Sequence, residues 1–154
     1  MKPKGVNMNT ENTSNSNNEL CWADLGTIFP KPDEKPLSDR EMLDLIAKMA
    51  ATAILYTPDF EGNWETQSIN GCLFLVAPRV REKYEVAVES NFYQGQMSPE
   101  TFGAALTLLI FNHRIWEFSY AGYPVGHLSD RYYSMLEAAC SSSLDAAAIG
   151  AFLD

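Results

Sequence analysis

Apolar residues recur at Met42, Leu43, Leu45, Ile46, Met49 and Ala50, the spacing of one helical face. Ser38-Asp39-Arg40-Glu41 precedes them in the form of a capping box, with the Ser accepting from an early backbone N–H and the Glu reaching back. The period then changes. Residues 52–56 form a short, partly β-branched apolar run that Thr57-Pro58-Asp59 ends. Residues 64–69 and 72–77 are strand-like and flank Asn70-Gly71, a pair suited to the positive φ angles of a type I′ hairpin turn. Tyr84, Val86 and Val88 alternate with Glu85, Ala87 and Glu89, as in a strand with one wet face. Ser98-Pro99-Glu100 then supplies a cap, a first-turn Pro and an acid, and residues 101–118 are mostly apolar, with Phe102, Leu106, Leu109 and Ile110 at core spacing. After a loop over residues 121–126, Ser129-Asp130 caps a helix to about Ala139, and residues 144–153 make a short last one. The pattern predicts an α+β fold: a single domain in which an antiparallel three- or four-stranded meander packs against several helices.

The ends of the chain have a different texture. Residues 1–20 are rich in Asn, Ser and Thr, bury too little to offset the entropy of ordering, and read as a disordered tail; Met8 within them is an alternative start. Residues 21–36, with Pro30, Pro32 and Pro36, read as an irregular arm pinned to the core by Trp22, Leu25, Ile28 and Phe29. Hydrophobic residues make up 46% of the 154, enough for one core over residues 21–154. Neither an apolar run of about 18 residues nor a signal-peptide pattern is visible, so a cytoplasmic protein without membrane contact is expected. Cys21, Cys72 and Cys140 are odd in number and far apart, which suits free thiols.

A formal charge of −9 argues against sequence-general nucleic-acid binding, whose affinity comes from Lys and Arg displacing counterions. The chain has no nucleophile elbow, phosphate-binding glycine loop, zinc-protease helix or dinucleotide fingerprint. His113 and His127 stand apart, and Ser141-Ser142-Ser143 is better explained as a turn than as a source of nucleophiles. Asp59 and Glu61 would need a cleft to act as an acid–base pair. Arg79, Arg81 and Lys83 share a face if extended, and read as a charged strand edge protected from pairing. These observations predict no enzyme, no cofactor, no metal and no catalytic residue.

The remaining motifs carry a family resemblance. Phe60-Glu61-Gly62-Asn63-Trp64, Asn70-Gly71 with its strand ending in Ala77-Pro78, Asn91, and Met97-Ser98-Pro99-Glu100-Thr101-Phe102-Gly103 resemble successive blocks of the ArdB/KlcA antirestriction proteins. Asp130-Arg131-Tyr132-Tyr133-Ser134-Met135-Leu136 and the ending over residues 149–154 complete the series, in order, over residues 55–154. The chain departs from the family at Ile28-Phe29-Pro30, at Ser141-Ser142-Ser143-Leu144-Asp145 and in its Asn-rich start. The resemblance implies a plasmid-, phage- or island-encoded protein that relieves DNA restriction by type I restriction–modification enzymes, with neither cofactor nor catalysis.

Such a protein could act as an acidic DNA mimic or bind a protein of the restriction machinery or one associated with it; an adaptor unrelated to restriction is a further alternative. Duplex DNA carries a charge about every 1.7 Å of axis, so a mimic needs dense one-signed rows. Here Arg79, Arg81, Lys83, Arg114 and Arg131 interrupt the acids, which favours protein binding. Residues 59–63 and 90–96 leave strands and hold polar and aromatic groups that local folding does not require. Asn63, Tyr93, Gln94, Asn91 and Trp64 are therefore the candidate partner-binding residues, while Trp64 and Phe92 could equally cap the core.

Overall fold

A computed structural model describes residues 18–154. Its axis is a 22-residue helix, α3 (Pro99–Tyr120), started by Ser98, whose side chain accepts from the Thr101 N–H at 3.1 Å. Every residue from Thr101 to Leu108 is buried, so the first half of α3 is enclosed on all sides while the second half emerges toward solvent. Around it lie α1 (Trp22–Ile28), α2 (Asp39–Tyr56), α4 (Gly126–Cys140) and α5 (Ala146–Leu153). The strands are β1 (Asn18–Glu19), β2 (Glu65–Ile69), β3 (Cys72–Val76), β4 (Tyr84–Val88) and β5 (Tyr93–Met97).

The class is α+β as the pattern predicts, but the strands do not form one meander. They divide into an antiparallel sheet of order β1-β2-β3 and a separate antiparallel pair, β4-β5. The physical reason lies at the outer edge of β3. Its Leu75 N–H donates to the Thr107 hydroxyl at 3.0 Å and its Leu75 carbonyl accepts from Gln67 Nε2 at 3.1 Å. Just beyond it, the Ala77 N–H donates to the Pro99 carbonyl at 3.0 Å. The edge a fourth strand would need is thus satisfied by α3 and by a side chain from β2. Gly103 makes the approach possible: a Cβ there would stand 2.2 Å from the Leu75 carbonyl oxygen.

The turn between β2 and β3 agrees with its sequence. Ile69 and Cys72 close it, and Asn70 (φ 50°) and Gly71 (φ 82°) both take the left-handed conformation of a type I′ turn.

Two further expectations are corrected. Residues 52–56 are not a strand; they continue α2, because Leu45, Met49 and Ala53 bury one continuous helical stripe. Thr52 fits there by donating its hydroxyl to the Lys48 carbonyl at 2.7 Å. The arm over residues 21–36 is not wholly irregular, since Trp22–Ile28 is helical, with the Cys21 N–H bound by the Asp24 carboxylate at 3.0 Å. Leu25, Ile28 and Phe29 are fully buried in that arm, as its pinning role requires. The expected tail lies outside the described residues except at its end, where Asn18 and Glu19 pair with Thr66 and Glu65 of β2. Among the described residues no helix is long and apolar enough to cross a membrane.

Candidate interaction surface

The β4–β5 pair has one buried and one wet face. Tyr84, Val86 and Val88 point into the core, whereas Glu85, Ala87, Gln94 and Gln96 are exposed. At one end of the pair, Tyr84 joins an aromatic cluster with Phe60 at 5.9 Å and Phe102 at 5.2 Å between ring centroids. Trp64 belongs to the same cluster, 5.1 Å from Phe60 and only 8% exposed. As a partner-binding residue Trp64 is therefore corrected: its ring is used by the core, and only its neighbour Asn63 reaches solvent.

At the other end, Val88 and Tyr93 close a loop over residues 89–92. Asn91 holds this loop in place. Its amide nitrogen donates to the Ala151 and Phe152 carbonyls, each at 3.1 Å, satisfying the last turn of α5. Its amide oxygen accepts from the Tyr93 N–H at 2.9 Å. The hydrogen-bonding groups of half-buried Asn91 thus serve the fold. Tyr93 is half-buried and lies over Gly95, where a Cβ would come within 2.7 Å of the phenol oxygen. Burial, and secondarily the charge of Asp145, raise its hydroxyl above the ordinary tyrosine range. Gln94 faces water opposite Ala87.

The candidates do not form one patch. The loop of Asn63 sits by Tyr84, and Tyr93 and Gln94 sit at the far end of the pair, a strand length of about 14 Å away.

The other chemistry-bearing groups are engaged in holding the fold. Arg79 bridges Glu65 at 3.0 Å and Glu100 at 2.7 Å, and Arg81 pairs with Asp59 at 3.1 Å. Arg81 of the basic cluster thus neutralises Asp59 of the Asp59–Glu61 pair. Ser142 donates to the Ala139 carbonyl at 2.6 Å and accepts from the Leu144 N–H at 3.1 Å, the work of a turn. A groove of about 650 Å³ is walled by Gln67, Ser68, Asn70, Ser98, Thr101 and Ser142. Its lining offers hydroxyls and amides, and the carboxylate beside it, Glu100, is already paired with Arg79. This lining can form hydrogen bonds but presents no histidine to activate its hydroxyls and no thiol to act as a nucleophile.

Two exposed features escaped the sequence reading. Phe92 does not cap the core: it is 91% exposed, with φ 61°, at the tip of the β4–β5 loop. The signal was loop length, since the last position of such a loop commonly turns left-handed. On the outer half of α3 and on α4, Trp116, Tyr120 and Tyr133 are exposed beside a groove of about 240 Å³. Its lining residues Asn112, Ile115, Trp116 and Ser119 recur at helical spacing, a stripe masked by the apolar character of the whole helix.

Comparison with curated proteins finds no match. Among solved structures, one from work on the KlcA and ArdB proteins shares the fold with a TM-score of 0.63 at 22% identity. The alignment covers 96% of this chain and 100% of that one. That work describes a novel fold and antirestriction activity against Type I DNA restriction systems in vivo but not in vitro. The family model for antirestriction proteins matches residues 59–154, from the loop before β2 to the end of α5. The chain belongs to the antirestriction protein family.

Proposed function

We propose that this protein relieves type I restriction of incoming DNA by binding a protein component of the restriction machinery, or a protein associated with it, in the cytoplasm and without catalysis or a cofactor. The observation that carries the reading is the dispersal of charge. Lys31–Glu41, Lys48–Glu117, Arg79 with Glu65 and Glu100, and Arg81–Asp59 intersperse cations among the acids. A DNA mimic needs unbroken negative rows, and these pairs interrupt them. The activity of KlcA and ArdB in vivo but not in vitro also favours this reading. A mimic that blocks a DNA channel should work in a purified assay, whereas a protein that needs a further cellular component should not.

Asn63 at one end of β4–β5, and Tyr93 with Gln94 at the other, remain the candidate contacts, now as two separate sites. Plating of unmodified phage on cells carrying a type I system, with graded amounts of this protein, tests the function. Relief should rise in proportion to the protein until it matches the restriction enzyme. Asn63→Ala and Gln94→Ala should lower relief without shifting the melting curve. Multiple-turnover inactivation by substoichiometric protein would overturn the binding mechanism.

A further inference from the structure

The tip of the β4–β5 pair combines features that folding alone disfavours. Among non-glycine residues, positive φ angles occur at Glu34, Asn70 and Phe92. Asn tolerates the left-handed region and Glu34 is an exposed turn residue, but a bulky aromatic there is an outlier. Gly or Asn would close the loop with less strain. Phe92 also leaves its ring 91% in water, so it opposes folding through both its backbone and its side chain. The loop that carries it is nonetheless tied down on both sides of the ring. Asn91 ties the loop to the end of α5 with hydrogen bonds to Ala151 and Phe152, and its oxygen holds the Tyr93 N–H. The result is a hydrogen-bonded mount with a protruding ring, the form of a preorganised interface anchor.

The surroundings say what kind of pocket this ring would enter. Glu89 is exposed in the same loop, Asp154 follows the turn of α5 that Asn91 binds, and the charge of Asp145 reaches Tyr93. Neither residues 84–98 nor residues 145–154 contain a Lys or Arg, so nothing in these segments neutralises the tip. From this geometry we infer that Phe92 is the anchor by which the protein docks into an apolar pocket with a basic rim on its partner protein, the acids around it steering that encounter. The inference rests on the protein-binding function proposed above and names the chemistry of the partner.

The test separates the two. Phe92→Gly relieves the strain and removes the ring, so its melting temperature should rise by a few degrees while restriction relief falls at least tenfold. Glu89→Lys combined with Asp154→Lys should lower relief about tenfold and weaken its dependence on salt, with melting near wild type. Wild-type relief by Phe92→Gly, or a melting temperature below wild type, would overturn the anchor, the second outcome by showing that the ring serves the fold. Should the wild-type protein relieve no restriction, the functional proposal fails and cross-linking decides the anchor by itself. For that, p-benzoylphenylalanine is placed at position 92, or at position 43 as a control, in cells. A heterologous adduct specific to position 92 and lost with the double charge reversal supports the anchor. Absence of an adduct, or one joining two copies of this chain, overturns it.

Discussion

The two tight hairpins of this protein reach the left-handed region in opposite ways. Between β2 and β3 the positive φ angles fall on Asn70 and Gly71, the residues that accept them most readily, and the Asn70 amide donates to the Ala138 carbonyl at 3.3 Å. Between β4 and β5 the same region falls on Phe92, a residue ill-suited to it, whose ring faces water. Both loops are tied to a helix by an Asn side chain, so the difference is not one of anchoring. Where local preference and tertiary packing agree, a segment is explained by folding. Where they conflict and the conflict is held rigidly, another demand is acting on the residue.

The largest test of this contrast concerns the contact that makes β2–β3 a structural hairpin. Gly103→Ala drives a Cβ into the Leu75 carbonyl and should push α3 off β3. We expect a net loss of about 3 kcal/mol, although Ala is the better helix former by about 1 kcal/mol. An undiminished urea midpoint would mean that α3 does not seal β3. Next comes the turn itself. Gly71→Val forces positive φ on a β-branched residue and should destabilise by about 1–3 kcal/mol, read as a fall in melting temperature. Its sign is opposite to that expected for Phe92→Gly, and melting shifts of the same sign in the two hairpins would break the comparison.

A smaller effect is expected at the junction of β5 and α3. Ser98→Ala removes the cap on the Thr101 N–H and should cost about 1 kcal/mol, measured by chemical denaturation. The smallest lies at the start of α2, remote from both loops. The Ser38 N–H and then the Lys31 ammonium hold the Glu41 carboxyl below the ordinary glutamate range. A depressed carboxyl stabilises above its unfolded value and loses that contribution as the pH falls through the folded one. Glu41→Gln should therefore lower stability slightly at neutral pH and flatten the profile below the glutamate range, where the difference from wild type vanishes. An unaltered slope in acid melts would show that the capping box is not felt in solution.

Much of this could be read along the chain because its causes are local. Ser38 and Ser98 cap the helices they precede, and Asn70-Gly71 closes the turn it predicts. The failures share one character. Residues 52–56 look like a strand only if the stripe from Leu45 through Ala53 is cut short, and that stripe is completed by packing rather than by propensity. Trp64 and Phe92 are both aromatic residues at the borders of strands, yet one is buried and the other exposed. Composition does not separate them. Trp64 has Phe60 to stack on, and the turn carries Phe92 away from the core.

By itself the sequence determined the α+β class, the starts of α2 and α3, the β2–β3 turn, the alternating faces of β4 and the family motifs over residues 59–154. Each of these follows from residues within a few positions of one another. The tertiary structure alone decided that the meander divides, because the groups that seal β3 come from Gln67, Pro99 and Thr107, far apart in sequence. It also decided which candidates face water. Asn91 is consumed by carbonyls some 60 residues later and Trp64 by the aromatic core, whereas Asn63, Gln94 and Phe92 are left in water. Exposure depends on what folds against a residue, and that is set by packing between segments distant along the chain.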